Sequence, residues 1–370
     1  MNRGHTPPVP SPLPLSAPVR LAVVGLGQIT ELMLPAYADN PGVEVVALCD
    51  PSPAKSERWA ATFPRARLSA EVGDALESAP DVVDVLVPTP LHADVATQVL
   101  DAGLHVQVQK PLARDLEGAD RMLAAARRSG AQLHVLEDYR CYPPLVALRD
   151  LVQQGAVGEP VGCHMKIVAT GRGGWDVPAE SYEWQFQQAQ DGRGMLVFDH
   201  GWHQLAVATW LFGPVRRIFG WLGSTEIVPG IVMDAPSTLV WEHASGVRVV
   251  LEITFAIDTY FRSTHYGGDE RVEVTGTRGF VRCNRISAQG IEEPSVVLYR
   301  DGETESFHAF DDTPPDAFAA MAARTVAAFT EGDAPLLDAT EARHVLVALM
   351  AALESHRIGS PVDVDPTGTG

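Results

Sequence analysis

The chain has 370 residues, 46% of them hydrophobic, and a formal net charge of −19 at pH 7. That length exceeds what one core usually serves, so two domains are expected; the acidic balance argues against nucleic acid and anionic membrane surfaces as partners, local basic pockets aside. Cys49, Cys141, Cys163 and Cys283 show neither CxxC nor metal-ligand spacing. No disulfide framework and no bound metal are therefore expected, and a reducing cytoplasm suits the chain. No apolar run reaches the length of a membrane span, and the N-terminus lacks the pattern of a signal peptide.

Residues 1–18 contain six prolines among small polar residues, a composition that favours extended, unpaired backbone. A flexible tail is expected there, the alternative being an arm that embraces a neighbouring subunit. The stretch VRLAVVGLGQIT, residues 19–30, reads as a strand, a glycine turn and a helix start. Gly25 takes the tight turn, Gly27 lets backbone approach a pyrophosphate, and Gln28 and Ile29 open a helix whose unpaired N–H groups face the anion. Thr30 departs from the small residue usual at the third position and is expected to push helix and strand slightly apart. Pro35 lies inside the helical pattern 29–38 and is expected to kink or shorten it.

A second strand, 43–49, leads to Asp50, where a carboxylate accepts hydrogen bonds from ribose hydroxyls and repels a 2′-phosphate. This favours NAD, while Ser52 and Lys55 nearby leave NADP open. Helix, short link and strand then alternate: 53–63, a link near Leu68, 71–78, and the apolar run 82–87. Pro88, Thr89 and Pro90 stop that strand before His92 and the helix 93–102, and strand 105–109 ends in Gln109, Lys110 and Pro111. Thr89, Pro90, His92, Gln109 and Lys110 thus fall where open α/β sheets bind ligands, although His92 better suits a cap or brace for the helix after Pro90. Segments 115–129 and 132–136 complete a dinucleotide-binding domain over 19–142.

Residues 143–364 are expected to form the second domain. A bridging helix ends near Gly155, and alternating strands follow at 161–170, 215–221, 237–242, 248–255, 271–274 and 279–282. The expected architecture is α/β: a Rossmann domain plus a domain built on a large, mostly antiparallel open-faced sheet. An exposed apolar sheet face predicts self-association as a homodimer or homotetramer. Helices 315–331 and 339–357 are expected to pack back on the first domain, and 365–370 to fray.

Asp199 and His203 stand four residues apart on a helix expected to run through Leu211, so they are expected to share one face. Oxidation of a secondary alcohol needs a base, a positive charge beside the developing alkoxide, and a carbon held against the nicotinamide. His203 has the range for the base, Lys110 supplies the charge, and Asp199 orients substrate or imidazole. Segment 171–190, with Trp175, Tyr182, Trp184 and Gln187, offers aromatic faces and amides that suit a sugar ring, and Arg172, Arg193 and Tyr266 add contacts to its oxygens. A subunit-interface loop has the same composition.

The ordered series Gly25-Leu26-Gly27, Cys49-Asp50, Thr89-Pro90 with His92, Lys110-Pro111, Gly192-Arg193-Gly194 and Asp199-His200-Gly201-Trp202-His203, with Gly276-Thr277-Arg278-Gly279 later, resembles the glucose-fructose oxidoreductase/inositol dehydrogenase (Gfo/Idh/MocA) family. The likeness runs from about Val19 to Val364. It implies a Rossmann domain, an α/β domain on an open sheet, and a nicotinamide cofactor. It also implies that Lys110, Asp199 and His203 are catalytic, that Lys110 approaches the nicotinamide ribose, and that the Lys110–Pro111 bond is cis. Relatives usually carry Glu where this chain has Gln109, so a neutral amide replaces a carboxylate beside the lysine. The expected activity is NAD(P)-dependent hydride transfer at a secondary alcohol of a sugar, inositol or related polyol. Two alternatives stay open: a relative that holds NAD tightly and oxidises transiently to cleave glycosides, and a non-catalytic NAD(P)-binding sensor or assembly subunit.

Overall fold

A computed structural model describes residues 10–176, 183–191, 193–284, 293–308, 310 and 313–365. In chain order the elements are β1 (Val19–Val24), α1 (Thr30–Ala38), β2 (Val43–Cys49), α2 (Pro53–Trp59), β3 (Arg67–Ser69), α3 (Val72–Leu76), β4 (Val82–Val85), α4 (His92–Asp101), β5 (His105–Gln109), α5 (Leu116–Ser129) and β6 (Leu133–Leu136). There follow α6 (Pro143–Gln153), β7 (Pro160–Arg172), α7 (Glu183–Gln190), a π-helical turn (Leu196–His200), α8 (Gly201–Phe212), β8 (Val215–Trp221), β9 (Thr225–Val228), β10 (Ile231–Met233) and β11 (Ser237–His243). The chain closes with β12 (Arg248–Tyr260), β13 (Gly268–Gly276), β14 (Gly279–Cys283), β15 (Val296–Arg300), β16 (Glu303–Phe307), α9 (Pro314–Thr330), α10 (Ala339–Ile358) and β17 (Val362–Asp363). It divides into two compact units, Met1–Asp138 with Phe318–Arg343, and Tyr139–Ala317 with His344–Gly370.

The first unit holds a six-stranded sheet in the order β3-β2-β1-β4-β5-β6, every pair parallel. The order reverses between β1 and β4, which opens a ligand crevice at their carboxyl ends. Pro35 neither stops nor shortens α1, because Leu32, Met33, Leu34, Ala36 and Tyr37 are all buried and packing holds the helix through the missing donor. The link expected near Leu68 is instead the edge strand β3, and the helix from Pro53 ends early, at Trp59. Asp115 caps α5 by accepting the Gly118 N–H at 2.9 Å, and Gly130, with φ 75°, ends it.

One polar cluster is buried within this sheet. The Tyr37 hydroxyl donates to Asp84 Oδ2 at 2.8 Å and accepts from Gln107 Nε2 at 2.8 Å. Asp84 and Gln107 are register partners on β4 and β5. Burial raises the Asp84 carboxyl to about 7.

The proline-rich segment corrects the expectation of a flexible tail over its described part. Leu15 is buried and donates its N–H to the Phe329 carbonyl at 2.8 Å. The His105 ring completes the attachment: Nδ1 accepts the Gln132 N–H at 3.0 Å, so the proton lies on Nε2, which donates to the Ser11 carbonyl at 2.9 Å. Phe329 of α9 stacks on His134 at 4.6 Å.

The second unit is built on a nine-stranded sheet, β16-β15-β14-β13-β7-β12-β11-β8-β17, in which only β7 and β12 run parallel. Its inner face is a continuous apolar layer from Cys163, Met165 and Ile167 on β7 to Leu239 and Trp241 on β11, with α8 buried as well. The outer face is not the wholly apolar surface expected. His164 Nε2 lies 3.5 Å from Glu252 Oε2 and Arg282 pairs with Glu273 at 3.3 Å, while Trp221, Val240 and Tyr299 are exposed.

The late helices also depart from the reading that both return to the first domain. From Phe318, α9 belongs to the first unit, but α10 changes allegiance after its first turn. Within the second unit His344 Nε2 accepts the Val215 N–H at 2.9 Å, and Ser355 Oγ accepts that of Gly220 at 3.1 Å. The hairpin β15–β16 was not anticipated, although its Asp301-Gly302 turn, with φ of 53° and 90°, carries the usual hairpin signal.

Candidate active site

In the first unit the carboxyl edge of the parallel sheet gathers the residues expected to hold a dinucleotide. Gly25 has φ +92°, and a Cβ there would lie 2.6 Å from the Val87 nitrogen, so only glycine fits. Gly27 is the opposite case: a Cβ there would meet nothing within 4 Å, which leaves an open cradle at the start of α1. Gln28 and Ile29 are partly exposed beside it. Thr30 is the departure that the structure explains. Its side chain is 1% exposed and its hydroxyl donates to the Gly27 carbonyl at 2.6 Å, bracing the turn from below.

Asp50 closes the same turn. Its Oδ2 accepts the Leu26 N–H and its Oδ1 the Ser52 N–H, both at 2.9 Å, and Lys55 Nζ stands 3.7 Å from Oδ2. A carboxylate has about four acceptor sites, so two remain for hydroxyl donors. Adenosine ribose hydroxyls fit that donor set. An open glycine cradle, helix N–H groups and an acceptor at the end of β2 together fit a dinucleotide.

Thr89 and His92 are both buried side chains, and His92 takes a bracing role, as its place before the helix suggested. Thr89 is 3% exposed and His92 is completely buried. The His92 ring nitrogens lie 2.9 Å from the carbonyls of Pro111 and Val87, which makes the ring a strut between the loop after β4 and the Lys110–Pro111 turn. Burial lowers its pKa to about 4, so it is neutral and donates to only one of the two. Pro90 stays partly exposed. The Lys110–Pro111 bond is cis. Gln109 Oε1 accepts the Lys110 N–H at 2.8 Å, and both side chains are partly exposed at the end of β5.

In the second unit the candidate groups come from the end of β7, from α7, from the π-helical turn and α8, and from the segment before β13. Asp199 is 9% and His203 6% exposed. They do not lie on one uninterrupted α-helix, because Asp199 belongs to the π-helical turn and His203 to α8. The wider turn changes the angular relation that four-residue spacing implies in an α-helix. The anchor of this turn is Asp234, which sequence reading missed. Its carboxylate accepts three backbone N–H groups, from Met195 at 2.8 Å, Leu196 at 2.7 Å and Val197 at 2.7 Å. Burial raises the Asp234 pKa, and the backbone donors work against that rise. Gly194, with φ +68°, makes room, since a Cβ there would lie 2.1 Å from Asp234 Oδ2.

The histidine has a second anchor that was missed. The Tyr139 ring stacks on His203 with centroids 4.0 Å apart and planes 10° apart, and its hydroxyl donates to Glu270 Oε1 at 2.5 Å. Gln204 Nε2 donates to Glu270 Oε2.

Arg172 is exposed at the last position of β7 and faces Tyr260 in the ladder. Tyr266 meets Trp175 edge-on at 5.7 Å, and Trp175 meets His265 at 5.1 Å. These aromatics rest on close backbone packing: the Trp175 N–H donates to the His265 carbonyl at 2.8 Å, and a Cβ on Gly174 would lie 2.5 Å from the same oxygen. Trp184 is half-buried on α7, which packs against β10. Arg193 lies 4.0 Å from Asp191. Tyr182 lies outside the described residues. Among the described residues, no helix is long and apolar enough to cross a membrane.

Residues 19–137 match a family described as an oxidoreductase family with an NAD-binding Rossmann fold, and residues 145–282 match the GFO/IDH/MocA C-terminal domain. A D-apiose dehydrogenase of Paraburkholderia graminis is 30% identical over 267 residues, which cover 71% of this chain and 67% of that protein. An inositol 2-dehydrogenase of Salmonella paratyphi B is 24% identical over 81% of this chain and 85% of its own length. In fold, the chain is similar to an oxidoreductase from Agrobacterium radiobacter crystallised with NAD+, L-tartaric acid and magnesium. That likeness has a TM-score of 0.78 at 18% identity and covers 94% of this chain and 98% of the other.

Proposed function

The chain belongs to the Gfo/Idh/MocA family of NAD-binding oxidoreductases, and from that premise we propose that it moves a hydride between nicotinamide and a secondary alcohol of a sugar, inositol or related polyol. The observation that carries the reading is the glycine cradle closed by Asp50 in the same chain as the buried, doubly anchored pair Asp199 and His203. NAD, when bound, supplies the hydride acceptor at nicotinamide C4. Gly25, Gly27, Gln28 and Ile29 hold its pyrophosphate, and Asp50 takes the ribose hydroxyls with Ser52 and Lys55 beside it.

His203 takes the proton of the substrate hydroxyl, Lys110 sets a positive charge beside the developing alkoxide, and Asp199 orients the substrate or the imidazole. Arg172, Trp184 and Tyr266, from three segments of the second unit, contact the remaining hydroxyls and C–H faces of the ring. Exposed Trp221, Val240 and Tyr299 support self-association through the outer face of the nine-stranded sheet as a homodimer or homotetramer. A monomer in sedimentation experiments would remove that part of the reading.

The test is to titrate NAD and NADP by fluorescence, then to follow reduced-nicotinamide absorbance across a panel that includes inositol and D-apiose. Accumulating NADH is expected with at least one polyol. Glycoside cleavage without net NADH would shift the reading to transient oxidation, and NAD binding with no turnover across the panel would shift it to a sensor. The cradle has its own test in Gly27→Ala. Because the new methyl meets no protein atom, the melting temperature should be unchanged, while NAD affinity falls about tenfold, ~1.4 kcal/mol, as the methyl enters the space of the pyrophosphate. Unchanged affinity would remove the cradle from the cofactor site.

A further inference from the structure

Glu270 is 7% exposed, and both of its oxygens are engaged by side chains tied to the candidate base. Oε1 accepts from the Tyr139 hydroxyl, whose ring covers one face of His203, and Oε2 accepts from Gln204, the residue that follows His203. The carboxylate is mounted on a stiff support: Glu270 of β13 is the register partner of Ile167 on β7, which pairs in turn with Ile253 on β12. Tyr139 is held from the other side as well, because its neighbour Arg140 donates from Nη2 to the Ala206 carbonyl of α8 at 2.8 Å.

Burying a carboxylate is costly, and an apolar residue of similar volume would fill the space without that cost. What the carboxylate adds is direction. It pins the hydroxyl end of the Tyr139 ring and, through Gln204, the turn of α8 that carries His203. An imidazole stacked within 10° of a tethered phenol has little freedom about its own side-chain torsions.

We propose that Glu270 is a positioning residue which, through Tyr139 and Gln204, locks the His203 imidazole in its working orientation. This rests on the assignment of His203 as the base. The lock itself is a property of the protein without substrate, so it is measurable apart from turnover.

The experiment compares Glu270→Gln, Tyr139→Phe and Tyr139→Leu with the parent. The His203 ring resonances are assigned by their loss in His203→Gln and read in histidine-labelled protein without ligand. In the parent, the stacked phenol should shift them upfield. Tyr139→Leu should abolish the shift, and Glu270→Gln should reduce it, because an amide offers one oxygen where two donors need two. Tyr139→Phe keeps a ring but loses its tether, so a reduced, averaged shift is expected.

With the polyol turned over best in the panel, Glu270→Gln and Tyr139→Phe should each lower kcat roughly 10- to 100-fold, with KM for NAD unchanged. The double variant should be no worse than the poorer single one, since both cut one link. Parent-like His203 resonances in Glu270→Gln would overturn the proposal, as would losses that add in the double variant. Full turnover in His203→Ala would instead defeat the assignment of the base and leave the resonance test of the lock intact.

Discussion

His203→Ala should lower turnover by roughly 10²- to 10⁴-fold, the range for removal of a positioned acid or base, while NAD affinity stays within about twofold. The separation of the two effects follows from the division of the chain. The cradle at Gly25 and Gly27, its brace at Thr30 and its closure by Asp50 are all built from residues 19–50, in the first unit. His203 belongs to the second unit, on a helix whose preceding turn is held by Asp234 and whose imidazole is covered by Tyr139.

Lys110→Ala should produce a comparable loss of turnover, because it removes the positive charge proposed to stand beside a developing alkoxide. The checks are steady-state kinetics with the preferred polyol and NAD titration by fluorescence. Full activity in either variant would defeat the assignment. A parallel loss of NAD affinity in His203→Ala would mean that the helix, and not the base, had been disturbed.

The second large effect concerns stability. Asp84→Asn should stabilise the protein at neutral and alkaline pH by an amount on the order of a few kcal/mol, and hardly at all near pH 4. The Asp84 carboxyl, completely buried between Tyr37 and Gln107, titrates at about 7 in the folded chain against 3.8 for the free side chain. Below the lower value both states are protonated and nothing is lost. As pH rises between the two values the unfolded chain gives up its proton while the folded chain keeps it, so folding weakens steadily, and above the upper value the loss is complete.

The amide removes this dependence and keeps an acceptor for the Tyr37 hydroxyl. It also places a donor where, among the described residues, Asp84 Oδ1 lacks a partner, next to the strand that carries Gln107 Oε1, which likewise has none among them. Denaturant midpoints of parent and variant between pH 4 and 9 measure the difference. It should grow up to about pH 7 and then level off. A difference independent of pH would show that Asp84 is not the group responsible.

Much of the first unit was legible because its signals are local. The apolar run 19–24, the glycine turn and Asp50 each lie within a few residues of one another and need only backbone geometry to be understood. Gly25 requires a positive φ wherever the strand is placed, and β2 and β5 were bounded as observed. Readings failed where a residue's role depended on a partner distant in the chain. Thr30 is a local exception, since the carbonyl its hydroxyl meets is only three residues away, and His92 is the brace that its place before the helix suggested. Asp234 and Glu270 carry no motif at all. Asp234 lies 37 to 39 residues from the amides it holds, and Glu270 lies 131 from Tyr139.

By itself, the sequence determined the alternation of strand and helix, the glycine cradle with its acidic closing residue, the family, and the candidacy of Lys110, Asp199 and His203. All of these follow from short-range order that survives without a folded chain. Only the tertiary structure decided that α10 belongs for most of its length to the second unit and that the turn carrying Asp199 is π-helical. It alone showed that a buried carboxylate reaches the histidine through a stacked tyrosine. The physical reason is that burial and hydrogen-bond partnership are set by which distant segments meet. A buried carboxylate reveals its purpose only through the donors that satisfy it.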